Sequence, residues 1–170
     1  MSRKVVSNAS PLMVFSKLNI LHLLKQLYGQ VIFPRAVYDE CVISGMRQGF
    51  QDAFTLDLFL TQNCWQPDDC LQIPADVSSE NLDRGEKEAI SLAISYNATI
   101  LMDEETGRRV ARKKGLSVKG SLGILIQSYR EKLISEDQLK LYFHQISTRK
   151  DIWISPELCK ILLEKELKYP

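Results

Sequence analysis

The sequence predicts an α/β fold organised on a parallel β-sheet. Short apolar runs bounded by polar residues alternate with longer amphipathic stretches, which is the pattern of strands joined by crossover helices. Helix-start and helix-stop residues flank the amphipathic stretches at the expected places. The chain of 170 residues is 45% hydrophobic and 25% charged, enough to bury a core without disulfide or metal staples. That length suits one compact domain over residues 1–170, with the C-terminal helices from about residue 121 as part of it.

The elements follow in order. "KVVS" (4–7) reads as the first strand. "SPLMVFSKL" opens a helix, with Ser10 as its N-cap and Pro11 at the first helical position. "NILHLLKQLY" continues as a second helix, capped by Asn19, with Ile20, Leu23, Leu24 and Leu27 as its apolar stripe and Gly29 as its stop. "QVIF" (30–33) reads as the second strand, and Pro34 starts the helix "RAVYDECVIS". Beyond Gly45, "DAFTLDLFL" has a helical pattern and "CWQPDDCLQIPAD" an extended one punctuated by proline.

"LDRGEKEAISLAISYN" is a strong helix. Asp83 and Glu86 have capping-box spacing, and Ala89, Ile90, Leu92, Ala93 and Ile94 form a broad apolar face. "ATILM" reads as a central strand, "EETGRRVARKKG" as a basic helix ending at Gly115, and "LSVKG" as a further strand. Three helices complete the chain: "SLGILIQSYREKL", "SEDQLKLYFHQIS" with a second capping box at Ser135 and Gln138, and "SPELCKILLEKEL".

The net charge of +1 removes any global electrostatic argument for a polyanionic partner. A nucleic-acid surface would have to be local, and "GRRVARKKG" (107–115), with Arg108, Arg109 and Arg112, is the candidate. A solvated helix face is the other reading of that run. Four cysteines without a CxxC pair, beside two histidines, argue against zinc and for buried free thiols in a reducing compartment. The early polar residues Asn8, Ser10 and Lys17 interrupt any signal-like apolar run. Apolar runs are far short of the ~20 residues of a spanning helix. The expectation is a soluble, cytoplasmic protein with no membrane partner.

In open parallel sheets, sites form at the carboxyl ends of the strands. "SNAS" (7–10) and "DEE" (103–105) sit at two such ends, and the helices carrying Glu40 and Glu86 can add acids nearby. Together Glu40, Glu86 and Asp103 or Glu104 could converge with Asn8. Crowded carboxylates call for a hard divalent cation, Mg²⁺ or Mn²⁺, which takes oxygen ligands and can activate water toward a phosphodiester. Each residue also has a purely structural role open to it. Glu86 can close its capping box, Glu40 can be a solvated helix residue, residues 103–105 can cap a helix, and Asn8 can make a turn.

Four stretches together resemble the PIN-domain superfamily, in its small prokaryotic branch known as a domain of unknown function: "VVSNASPLMVFSKL", "VIFPRAVYDECV", "LDRGEKEAISLAISYNATILMDEETGRRVARKKGL" and "VKGSLGILIQSYREKLI". With "WISPEL" they span about residues 4–158. The resemblance implies a PIN-like fold, a central parallel sheet with helices on both faces. It also implies a metal-dependent ribonuclease whose acids fall at Glu40, at Glu86 (with Glu88 ranking lower) and at Asp103 or Glu104. Glu40, Glu86 and Asp103 would be catalytic and, with Asn8 and Glu104, would ligate Mg²⁺ or Mn²⁺. Arg108, Arg109 and Arg112 would meet the RNA backbone. The departure is Asn8, where the family pattern has Asp; an amide can coordinate Mg²⁺ but brings no charge. The resemblance further implies a toxin of a toxin–antitoxin pair, with a small antitoxin protein and a homodimer. A catalytically weak RNA- or protein-binding module is the rival reading. A phosphate-accepting signalling domain fits less well, because it needs an acidic pair after the first strand and "SNAS" offers none.

Overall fold

The structure is a computed structural model and describes residues 3–168. The described chain forms two compact units, one within Met1–Lys119 and one within Gly120–Pro170.

The first unit is built on a three-stranded parallel sheet, β1 (Val5–Ser7), β2 (Thr99–Leu101) and β3 (Val118–Lys119), with β2 in the centre. Register is set by Val6 opposite Ile100 and Leu101 opposite Lys119. Val5, Val6 and Ser7 are all buried. Successive strand residues face opposite ways, so both faces of the sheet are covered at β1. On one face Val6, Ile100 and Met102 pack with Ala89, Ile90, Ala93, Val110 and Ala111 of the helices that precede and follow β2.

The predicted second strand is reduced to a bridge. Ile32 pairs in parallel with Val6, through Ser7 N–H to Ile32 O and Ile32 N–H to Val5 O, both at 2.8 Å. Pro34 stops it from lengthening: proline has no N–H to donate, and a helix begins at the next residue. Pro34 instead forms a second bridge, to Asp68 in the extended segment.

The helices of this unit are α1 (Ala9–Lys17), α2 (Leu21–Tyr28), α3 (Arg35–Tyr38), α4 (Gly45–Arg47), α5 (Gln51–Gln62), α6 (Ala75–Ser78), α7 (Arg84–Tyr96) and α8 (Glu105–Lys113). A π-helical turn, Asp39–Ser44, joins α3 to α4 without a break. Gly45 therefore lies inside a helix rather than at its end. A side chain there would meet the Ala53 Cβ at 2.7 Å, so glycine is what lets α5 approach so closely. Three boundary expectations shift. Asn8, not Ser10, is the N-cap of α1; Ile20, not Asn19, caps α2; and Ile94 stays 36% exposed rather than joining the α7 core face. Asn19 instead takes the left-handed backbone (φ 56°) that links α1 to α2.

The second unit holds α9 (Ser121–Arg130), α10 (Glu136–Thr148) and α11 (Pro156–Lys168). Both predicted capping boxes form, Asp83 with Glu86 and Ser135 with Gln138. The four cysteines are free, but only Cys41 and Cys159 are buried; Cys64 is exposed and Cys70 half-buried, because both fall around the irregular segment that follows α5. Among the described residues no helix is long and apolar enough to cross a membrane.

Candidate functional site

The carboxyl ends of β1 and β2 lie side by side, and the Asn8 N–H continues the ladder to Leu101 O at 3.1 Å. Asn8 has extended backbone and starts α1, yet its side chain caps nothing. Only 4% exposed, it leaves its Oδ1 buried without a hydrogen-bond partner. An unsatisfied buried acceptor costs about 1–3 kcal/mol, which marks the position as one shaped by something other than stability.

Ser10 does a different job from the one its sequence suggests. Its hydroxyl donates to Asp103 Oδ2 at 2.9 Å, tying the start of α1 to the second residue beyond β2. The next residue, Glu104, caps α8 by accepting the Gly107 N–H at 2.9 Å.

Glu86 is 8% exposed. Its Oε2 accepts the Asp83 N–H at 3.0 Å, and its own N–H donates to Asp83 Oδ1 at 2.7 Å. The other oxygen faces α8: a Cβ on Gly107 would collide with Met102 Sδ and lie 3.4 Å from Glu86 Oε1. Burial pushes the Glu86 carboxyl above its usual range. The Asp83 N–H bond opposes this, while the negative charges of Asp83, Glu104 and Glu40 add to it.

Glu40 rides on the π-helical turn, a local widening often found at functional sites. A Cβ on Gly85 would lie 3.5 Å from Glu40 Oε2 and 3.4 Å from Asp83 Oδ1, so the two carboxylates flank that glycine. Burial raises the Glu40 carboxyl, and the charge of Asp83 raises it further.

The structure thus brings Glu40, Asp83, Glu86 and Glu104 into one mutually repelling group. Asn8 and the Ser10–Asp103 pair lie at the adjoining strand ends. Among the described residues no three His, Cys, Asp or Glu side chains are gathered tightly enough to hold a metal ion in this conformation. The donor chemistry nonetheless suits a hard divalent cation: every candidate ligand is an oxygen, one is a buried amide oxygen with no partner, and the carboxylates repel.

Glu88, the lower-ranked alternative to Glu86, is structural. Buried at 6% exposure, it accepts the Ala36 N–H and the Arg84 Nε–H. The basic helix divides in the same way. Arg108 donates to Met102 O at 2.7 Å and lies near Glu105, and burial, then the Arg112 charge, lower its pKa. Arg112 is more exposed and pairs loosely with Glu105 at 3.4 Å, while Arg109 is exposed.

From sequence alone Asp83 and Ser10 are capping residues and nothing more. Each carries a signal in the sequence: Asp83 lies three residues before Glu86 and so beside it on the helix entry, and Ser10 sits three residues past the end of a strand next to the one that ends before Asp103.

A parallel sheet whose carboxyl edge gathers carboxylates, a buried amide and a basic helix defines an α/β protein with an acidic cleft. A PIN-domain family model matches residues 4–167, running through both compact units, and the chain belongs to that superfamily, in its domain-of-unknown-function branch. Membership supports a nuclease-like, nucleic-acid-binding protein. No curated protein and no solved structure gives a significant match.

Proposed function

We propose that the chain is a metal-dependent ribonuclease, with Glu40, Glu86 and Asp103 as its principal acids. Asn8 serves as a neutral ligand, Glu104 as an alternative one, and Mg²⁺ or Mn²⁺ as the cation. The reading is supported by the unpartnered, buried Asn8 Oδ1 at the end of β1, together with the mutual repulsion of Glu40, Asp83, Glu86 and Glu104 in the same unit. When bound, a divalent cation supplies Lewis acidity at the phosphodiester and lowers the pKa of water. The chain's own residues do the positioning. Glu88 holds the start of α3, Ser10 fixes the Asp103 carboxylate, and the Asp83–Glu86 box sets the entry of α7. Arg109 and Arg112, on the exposed side of α8, are the side chains available to phosphates, in a contact that weakens with salt.

The resemblance also supports a cytoplasmic toxin acting as a homodimer, restrained by a small antitoxin protein, with both compact units parts of one PIN domain. A second reading, a binding module that does not cut, draws on two observations: position 8 carries no charge, and Glu86, Glu104 and Asp103 are all engaged in hydrogen bonds.

The test is cleavage of mixed RNA with Mn²⁺ or Mg²⁺ by wild type, Glu86→Gln and Asn8→Asp, with cation binding followed by calorimetry on the same three proteins. The ribonuclease reading expects wild type to cut, Glu86→Gln to lose cutting and cation binding together, and Asn8→Asp to cut faster. A wild type that binds RNA and never cuts, whatever the cation, hands the case to the binding module.

A further inference from the structure

Within the Gly120–Pro170 unit a cleft of about 920 Å³ opens where α9 ends and α10 begins. That volume is typical of sites for small organic ligands. Tyr129, Leu133 and the buried Ile134 give it an aromatic and aliphatic wall.

Its polar rim is rich in donors. Arg130 grips Glu166 as a fork, Nε–H to Oε1 at 2.8 Å and Nη2–H to Oε2 at 2.6 Å. A guanidinium has five N–H donors, so the fork leaves three unspent on a side chain that is largely exposed. Glu166 is only 6% exposed, and Arg130 holds its carboxyl below the usual range. The buried carboxylate is fully matched, and its effect is to fix Arg130 in one orientation.

Lys132 supplies a second cation, from an unusual backbone. Its φ is 60°, in the left-handed region where helices normally end on glycine. The turn is held by Lys132 N–H to Tyr129 O and Leu133 N–H to Ser128 O, both at 2.9 Å. No ion pair among the described residues involves the Lys132 ammonium. The lysine at that turn places a cation on the rim of the cleft. Gln138 adds a donor: its Oε1 accepts the Ser135 N–H at 2.8 Å, which leaves its amide N–H groups over.

We propose that this cleft is a nucleotide-binding site, with the phosphate held by Arg130 and Lys132 and the base laid on Tyr129 against Leu133 and Ile134. A rim of surplus donors around one satisfied carboxylate selects an anion. The volume far exceeds a lone phosphate, and the aromatic and aliphatic wall suits a flat base. The inference does not rest on the acidic cleft, since none of its residues belongs to the unit that carries Glu40 and Glu86.

The test is calorimetric titration of the full chain with 5′-AMP, inorganic phosphate and adenosine. AMP is expected to bind saturably and more tightly than either fragment. Lys132→Gly should weaken AMP binding about tenfold or more while leaving Tm unchanged or higher, because it relieves the left-handed strain. Arg130→Lys, which keeps a cation beside Glu166 but not the fork, should also bind AMP more weakly. No heat with AMP, undiminished binding by Lys132→Gly, or phosphate binding as tight as AMP each overturns the assignment. Glu86→Gln should bind AMP as wild type does, so a failure here and a failure of the ribonuclease reading are separate results. In that same variant, tetra-adenylate binding tighter than AMP identifies a stretch of RNA as the ligand, and weaker or equal binding a free nucleotide.

Discussion

Glu88 accepts the backbone N–H of Ala36 at 3.1 Å through one carboxylate oxygen, and the Arg84 guanidinium at 2.7 Å through the other. The first bond satisfies a donor in the opening turn of α3, which has no intrahelical partner. It also joins the helical run that carries Glu40 to the helix that carries Glu86. Glu88→Ala is expected to destabilise the protein by about 1–3 kcal/mol, the loss for an orphaned buried donor. Glu88→Gln, which keeps an acceptor, should lose clearly less. Urea unfolding of both variants checks this, and equal losses would mean that charge rather than the Ala36 bond is what matters.

Gly107 of α8 stands near Glu86: a Cβ there would lie 3.4 Å from Glu86 Oε1. An added methyl would collide with Met102 Sδ before it reached Glu86 Oε1. Gly107→Ala is expected to destabilise by about 1–3 kcal/mol through overpacking, and to weaken Mn²⁺ binding by displacing the carboxylate. A variant as stable as wild type would show that Met102 swings away freely.

The raised carboxyls of Glu40 and Glu86 make a signed pH prediction. Their folded pKa values lie above the unfolded value of 4.5, so between the two the folded state holds more protons. Stability from these groups therefore falls as pH rises through that window and stays low above it. Glu86→Gln should remove part of the fall and raise Tm at neutral pH without metal, since glutamine can still close the capping box. Melting curves taken from below the unfolded value of 4.5 up to neutral pH check it. A variant that melts lower than wild type at neutral pH contradicts the repulsion.

Asn8→Asp places a further charge in a buried position at the end of β1, in the unit that holds those carboxylates. Without a cation it should lower Tm, because an uncompensated charge is being buried. With Mn²⁺ the order should reverse, since ligand binding to the folded state adds RT ln(1 + [L]/Kd). Cation affinity is expected to rise, because a charged carboxylate replaces a neutral amide among the oxygen ligands. Thermal melts with and without Mn²⁺ would show the crossing.

The three arginines of α8 should separate experimentally. Arg108→Ala removes the bond to Met102 O and should act first on stability. Arg109→Ala and Arg112→Ala should leave melting nearly unchanged and each lower the salt slope of RNA binding by about one. Filter binding over a salt series reads the slope, and identical slopes in all three proteins would take this helix out of the interface.

The sheet, the helix order and both capping boxes were legible because each rests on local patterns: apolar runs, terminal prolines and glycines, and an acid or amide three residues after a cap. That Glu40, Glu86 and Glu104 come near one another follows from their places after strands and at helix starts, whereas the part of Asp83 in that group does not. Their engagements were not legible. Nothing local tells that Ser10 reaches Asp103 across 93 positions, or that Glu88 reaches Ala36 across 52. The reduction of "QVIF" to a bridge has a local cause in Pro34, but how few of its residues pair depends on the neighbouring strand as well.

The wide turn at Asp39–Ser44 accommodates one residue more than an ordinary helical turn, so everything after it is rotated out of phase with what comes before. Tyr38 and Gly45 therefore follow two different wheels, and a single regular wheel misassigns the faces on one side of the turn. Such an excess residue is reversible in principle. Deleting one residue between Cys41 and Ser44 would restore ordinary winding while turning Glu40 away from Gly85, or Gly45 away from Ala53. The chain could keep its helix or its present pairing of surfaces, but not both.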